Sequence, residues 1–250
     1  MTRTANRPVA SGRMKSSTGL ILSAALAAVS AGLYAHMPFP GTMLVAGSIW
    51  VAYSVVYTLM KRYSHLNTLY GAVVGALPPL IGTYAAIGTV LSPETLLLST
   101  YIFSWQWPHF YGILYEHRED YQRAGFVMLS NFDQDGSIAT KHIKTSYFLG
   151  SVIPVTMAWT GMLSAWILPA YYFYYYRAFT HVSTFASDPS SANAKAIKTS
   201  SYLPFFILLA GIYMTTLVKK AKSLTTEAEI QPNGTEHACV FAKTKDKVDR

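Results

Sequence analysis

Cysteine is nearly absent from this sequence: Cys239 is the only one in 250 residues. A disulfide within the chain is therefore excluded, and no Cys/His spacing of the zinc type occurs. Charge is scarce too. Asp, Glu, Lys and Arg make up 13% of the residues and hydrophobic types 51%, whereas a soluble domain carries about 25% charge. With a mean hydropathy of +0.24, this is a membrane composition. Acidic residues are missing altogether from Met1 to Ser17, a basic stretch whose Pro8 and lack of apolar periodicity argue against a targeting peptide. No repeat of solenoid period is present. In a soluble protein the net charge of +8 would point to nucleic acid; here it raises the question of where Lys and Arg fall relative to the apolar runs, and nucleic acid is not expected as a partner.

Long apolar runs dominate what is there. They cover Gly19 to Ala35, Gly41 to Met60, Leu69 to Leu91, Pro93 to Tyr115, Ser146 to Leu168 and Tyr202 to Val218, with a shorter seventh from Pro169 to Phe179. A bilayer span needs about 20 apolar residues, or about 17 where the membrane thins. With seven spans, thirteen Lys and Arg fall on one side: Arg3, Arg7, Arg13, Lys15, Lys61, Lys198 and seven between them in the chain. The opposite loops, His36 to Pro40, around Ser92 and around Pro169, have none. This positive-inside pattern supports the seventh span, because without it the last basic loop would change sides. The expected fold is all-α, a polytopic membrane helical bundle. Its expected divisions are a basic loop (1–18), a membrane domain (19–218) and a polar tail (219–250) without a core. The sequon at Asn233 in that tail reads as a chance match.

Ionisable residues concentrate between Tyr101 and Ser130, where an aromatic helix runs into His109, Glu116, His117, Arg118, Glu119, Asp120 and Arg123. Such groups on the rim of a spanning segment are costly unless they pair or line a cavity. If the helix continues to Asp120, residues 109, 116 and 120 share one face. Two carboxylates so spaced can hold Mg²⁺ completed by water and substrate phosphates; a solvated helix end would carry the same charges. Lys61 and Arg62 close a helix on the same side, suited to a diphosphate or to snorkelling at the interface. Gly71 and Gly75 allow close helix packing, and Pro78-Pro79 breaks the helix at depth, fitting a cavity wall. Trp105, Trp107, Phe110, Tyr111, Tyr115 and Tyr121 surround the rim, as an interfacial belt or as faces that shelter a carbocation or a flat macrocycle.

Three stretches carry a specific resemblance: YTLMKRYSHLNTLYGAVVGALPPLIGTYAA from Tyr57 to Ala86, WQWPHF from Trp105 to Phe110, and REDYQRAGFVM from Arg118 to Met128. They resemble the UbiA-type intramembrane prenyltransferases, and within them the haem O synthase (protoheme IX farnesyltransferase) branch, in its mitochondrial form. The resemblance implies seven of that superfamily's nine transmembrane helices. The segment from Arg3 to Met14 is similar to the one following the first Asp-rich motif, so the chain is expected to be an N-terminally shortened form. It implies transfer of farnesyl from farnesyl diphosphate to haem b, giving haem O on the way to haem A for cytochrome c oxidase. Mg²⁺ would be bridged by the substrate, in the mitochondrial inner membrane, with the rim facing the matrix and haem A synthase or other oxidase-assembly factors as partners. On these residues it implies Asp120, with Glu116, for metal and diphosphate. Lys61, Arg62 and Arg118 would supply diphosphate charge, and Tyr57 a hydrogen bond or cation stabilisation. His109, Trp105, Asn67 and Tyr121 would bind substrate, and Arg3 and Arg7 would border the first motif.

Two other classes fit less of the pattern. A non-catalytic homologue would bind haem or an oxidase-assembly partner without prenyl transfer. A small transporter would need its ionisable cluster near the bilayer midplane rather than at helix ends.

Overall fold

The computed structural model describes residues 1–230, and every regular element among them is helical. The long elements are α1 (Ser16–Ala35), α2 (Thr42–Val51) continuing through a π-helical segment (Ala52–Tyr57) into α3 (Thr58–Tyr63), α4 (Asn67–Gly75), α5 (Pro78–Ile87), α6 (Pro93–Glu116), α7 (Arg118–Arg123), α8 (Ser137–Trp159), α9 (Leu168–Ser187) and α10 (Ser191–Ile230). The break between α4 and α5 falls where the sequence places Pro78-Pro79, since proline supplies no N–H and disfavours helix just before it. Four passes are long and apolar enough to cross a membrane: Ser16–Ala35, Thr42–Tyr63, Asn67–Ile87 and Ser191–Thr226. Helices α6, α8 and α9, with 24, 23 and 20 residues, are long enough but carry more polar and aromatic side chains.

Several bounds differ from those read in the sequence. Helix α8 starts at Ser137 rather than Ser146, because the buried Asp133 carboxylate accepts hydrogen bonds from the Ile138 and Ala139 N–H groups (3.0 and 2.8 Å) and so holds a polar first turn. Helix α9 runs on to Ser187, beyond the apolar part that ended at Phe179. Helix α10 runs beyond its apolar part into the segment expected to be a polar tail, as far as Ile230. Cys239 and the Asn233 sequon lie outside the described residues.

Helix α6 is the hub. One side packs on α8 and α10, the other on α4 and α5, while α9 closes the group against α8 and α10. Helix α1 packs on α2 and buries none of its residues, leaving an apolar surface suited to lipid. A proline inside a helix frees a carbonyl that a neighbouring helix can satisfy. Pro154 interrupts α8, and the carbonyl four residues before it, on Gly150, accepts from the Tyr171 hydroxyl at 2.9 Å. Tyr172 and Tyr175 bond the carbonyls of Ser151 and Tyr147 in the same way, so the tyrosine run of α9 fastens it to α8. The two expected glycine contacts are present. A Cβ on Gly71 would lie 2.7 Å from the Tyr57 ring, and one on Gly75 would lie 2.2 Å from Gln106 Oε1.

Candidate active site

The ionisable cluster sits where the ends of α3, α6, α7 and α10 meet. Helix α7 ends in a turn at Gly125, whose φ of 69° is a left-handed conformation that glycine adopts without strain. The chain then runs back to α3, where Val127 N–H donates to Lys61 O at 2.8 Å. Asn67, expected to bind substrate, is instead fully buried and donates its amide to Val127 O (2.8 Å) and Ser64 O (2.6 Å). It ties α4 to this loop, and its donors are spent on the fold.

Tyr57 ends the π-helical segment, a rare irregularity often found at functional sites. Its ring is 3% exposed, meets Phe110 edge-on at 6.4 Å between centroids, and has Lys61 Nζ 4.1 Å above its centre. A desolvated cation over an aromatic face is attracted by the ring quadrupole. Arg62, one residue on, is exposed. From the N-terminal segment, Arg3 donates its backbone N–H to Asp120 Oδ2 at 3.1 Å and its guanidinium to the Tyr121 hydroxyl at 3.3 Å. Arg7 is exposed, and its N–H closes a turn on Thr4 O. Arg3 therefore joins the cluster and Arg7 stays outside it.

Helix α6 does not continue to Asp120. It stops at Glu116, His117 leaves helical geometry at φ −122° and ψ 24°, and α7 begins at Arg118. The expected line of His109, Glu116 and Asp120 on one face is thus broken. Glu116 and Asp120 still line one pocket of about 520 Å³, together with His117, Arg118, Glu119 and Arg123. Asp120 is 8% exposed, and its Oδ1 accepts from Arg123 at 2.8 Å. Glu116 is bonded by Lys198 of α10, with the His117 imidazole 3.8 Å away. Burial, with Arg3 and Lys198 nearby, holds the His117 imidazole below its usual pKa against the pull of Glu116 and Asp120. Tyr115, with Ser190 and Ser191 at the start of α10, completes the lining.

His109 lies elsewhere, up α6. Its ring stacks on Trp105 at 4.9 Å and meets Tyr202 at 4.9 Å, and among the described residues its Nδ1 has no hydrogen-bond partner. Trp105 stacks on Phe205 at 3.9 Å and donates its indole N–H to Ser201 O at 2.8 Å. Both rings form an aromatic wall between α6 and α10 rather than part of the rim.

Among the described residues no group of three or more His, Cys, Asp or Glu is placed to hold a metal ion by itself. The donor set nevertheless fits Mg²⁺, which is commonly held by one or two carboxylates plus substrate phosphates. Asp120 supplies such a carboxylate beside Arg3, Arg118 and Arg123. Three features escaped the sequence. The Asp133 cap was legible in principle, since Asp-Gln-Asp-Gly before Ser137 is a helix-start pattern. Lys198 and the π-helical segment left no local signal.

The pattern described as the UbiA prenyltransferase family covers residues 1–217. The chain is 36% identical over 171 residues to a protoheme IX farnesyltransferase of Rhodopirellula baltica, covering 66% of this chain and 55% of that one. It is 35% identical over 170 residues to the mitochondrial protoheme IX farnesyltransferase of Arabidopsis thaliana, covering 66% and 38%. It is 32% identical over 234 residues to protoheme IX farnesyltransferase 2 of Mesorhizobium japonicum, covering 90% and 72%. The chain thus spans about half the length of the first curated relatives it matches. No solved structure matches it.

Proposed function

The chain belongs to the UbiA prenyltransferase family, and from that premise we propose that it transfers a farnesyl group from farnesyl diphosphate to a vinyl group of haem b, giving haem O. The observation that carries this is one pocket where the Asp120 carboxylate, Arg118 and Arg123 meet, with Arg3 bonded to Asp120 and Lys61 over Tyr57 on the adjoining helix end. In this reading Lys61, Arg118 and Arg3 hold the diphosphate and offset the charge that grows on it as the allylic C–O bond breaks. Arg62, exposed at the end of α3, meets the outer phosphate. Asp120 would hold Mg²⁺ together with the substrate, and the ion would supply further neutralisation of the leaving group. The Tyr57 and Phe110 faces shelter the farnesyl cation from water. The vinyl π electrons of haem b then form the new carbon–carbon bond. Water adds to the cation left beside the macrocycle and loses a proton, giving the hydroxyethylfarnesyl group. His109 and Trp105 line the apolar wall along which the prenyl chain or macrocycle lies.

The reaction stands one step before haem A for cytochrome c oxidase. We place the protein in the mitochondrial inner membrane with its rim toward the matrix, alongside haem A synthase or other oxidase-assembly factors. The test is conversion of haem b to haem O by the protein in lipid with farnesyl diphosphate and Mg²⁺, scored by mass. Turnover is expected to be abolished by Asp120→Ala; unchanged turnover in that variant refutes the site assignment. A second reading, a homologue that binds haem without prenyl transfer, is supported by His109, whose Nδ1 has no hydrogen-bond partner among the described residues and whose ring lies between those of Trp105 and Tyr202. It predicts haem retention with no Mg²⁺-dependent product.

A further inference from the structure

The rim pocket is lined by three carboxylates, but they are not equivalent. Glu119 is exposed, Asp120 is buried among cations, and Glu116 is engaged by a lysine from a distant part of the chain. Lys198 reaches Glu116 because α6 and α10 approach backbone to backbone at Gly112. A Cβ there would lie 2.7 Å from Lys198 Cβ and 2.9 Å from Ala194 O. The Ser191 hydroxyl also donates to the Glu116 main-chain O at 3.1 Å. The Lys198 and Glu116 side chains are only 18% and 12% exposed. An ion pair this far out of water is little screened, and removing one partner leaves the other's charge uncompensated.

We infer that Lys198 is a positioning residue that withholds Glu116 from the divalent cation, so that the phosphates of the substrate, rather than a second protein carboxylate, complete the cation's coordination. This rests on the proposed reading of the rim as a Mg²⁺-diphosphate site. With Glu116 neutralised by Lys198, Asp120 is left as the buried carboxylate of the pocket, Glu119 being exposed, and an arriving diphosphate meets one negative charge fewer. Without Lys198, Glu116 becomes a second ligand for a bare cation and a repulsive neighbour for an anion. The affinities for the two ligands then move in opposite directions.

The experiment uses the full chain in lipid nanodiscs, titrated with Mn²⁺ alone by paramagnetic resonance and with inorganic pyrophosphate plus Mg²⁺ by calorimetry. Lys198→Gln is expected to bind Mn²⁺ about tenfold more tightly and pyrophosphate about tenfold more weakly, while Lys198→Arg stays within about twofold of wild type, since ligand charge count sets cation affinity. A gain in affinity is not a consequence of a damaged fold. Adding Glu116→Gln to Lys198→Gln should cancel the gain. The inference is overturned if Lys198→Gln binds Mn²⁺ no better than wild type, or if the double variant keeps the gain. A wild-type chain that binds neither probe overturns the metal reading itself.

Discussion

Replacing Asp133 by alanine removes an acceptor from four donors at once. The carboxylate is 2% exposed and takes bonds from Tyr115 Oη (2.7 Å), Ala139 N (2.8 Å), Ile138 N (3.0 Å) and Ser137 Oγ (3.3 Å). Loss of the cap costs about 1–2 kcal/mol. The Tyr115 hydroxyl keeps only the Asp133 main-chain O, at 2.6 Å, and the bond it loses is worth about 1 kcal/mol. The sum, about 2–3 kcal/mol, corresponds to a fall in melting temperature of about 4–12 °C for a chain of this size. Asp133→Asn keeps one acceptor oxygen and should fall by about half as much. The pH dependence has a definite sign. Although burial opposes ionisation, the bonds from Tyr115 and from the Ile138 and Ala139 N–H groups hold the Asp133 carboxyl below its usual pKa. Its stabilisation is therefore complete above the unfolded value of about 3.9 and is lost as the pH falls from there through the folded value. Thermal melts in detergent from neutral pH down to acid, on wild type and both variants, measure this. If Asp133→Ala melts within about 1 °C of wild type, the carboxylate is not the cap that starts α8.

Other substitutions separate packing from charge. Gly75→Ala drives a Cβ into Gln106, which donates to Ala72 O, and should cost about 1–3 kcal/mol in a melt. Tyr171→Phe loses the bond to Gly150 O and should cost about 1 kcal/mol; in a Pro154→Ala background, where α8 can satisfy that carbonyl itself, the loss should shrink. Arg123→Ala should change stability by less than about 1 kcal/mol, because the Arg123 side chain is 65% exposed and its pairing with Asp120 is screened.

The bundle was legible because a bilayer demands long apolar helices, and the Pro78-Pro79 break and the glycine contacts at 71 and 75 followed from backbone sterics alone. The meeting of Lys61 with Asp120's loop was legible only through the one-sided distribution of Lys and Arg. What failed did so for local or long-range reasons. Helical periodicity carried the reading of residues 109, 116 and 120 past a break at His117 that no proline or glycine announces. Asn67 is a polar residue in an apolar helix whether its amide faces a ligand or a backbone carbonyl, and only the position of Val127 decides between them. The pairing of Glu116 with Lys198 had no local signal, because the two lie 82 residues apart in the chain. Helix α10 outruns its apolar run because a long packed helix can carry polar ends into solvent.

Mg²⁺-dependent binding of farnesyl diphosphate to the chain in nanodiscs, followed with radiolabelled ligand, tests the assignment of the rim most directly. The expected result is saturable binding that needs Mg²⁺, disappears in Asp120→Ala and weakens in Lys61→Gln and Arg118→Gln. Binding that is indifferent to Mg²⁺ and survives Asp120→Ala would contradict it, and would mean that the diphosphate is held somewhere other than the pocket where α6, α7 and α10 meet.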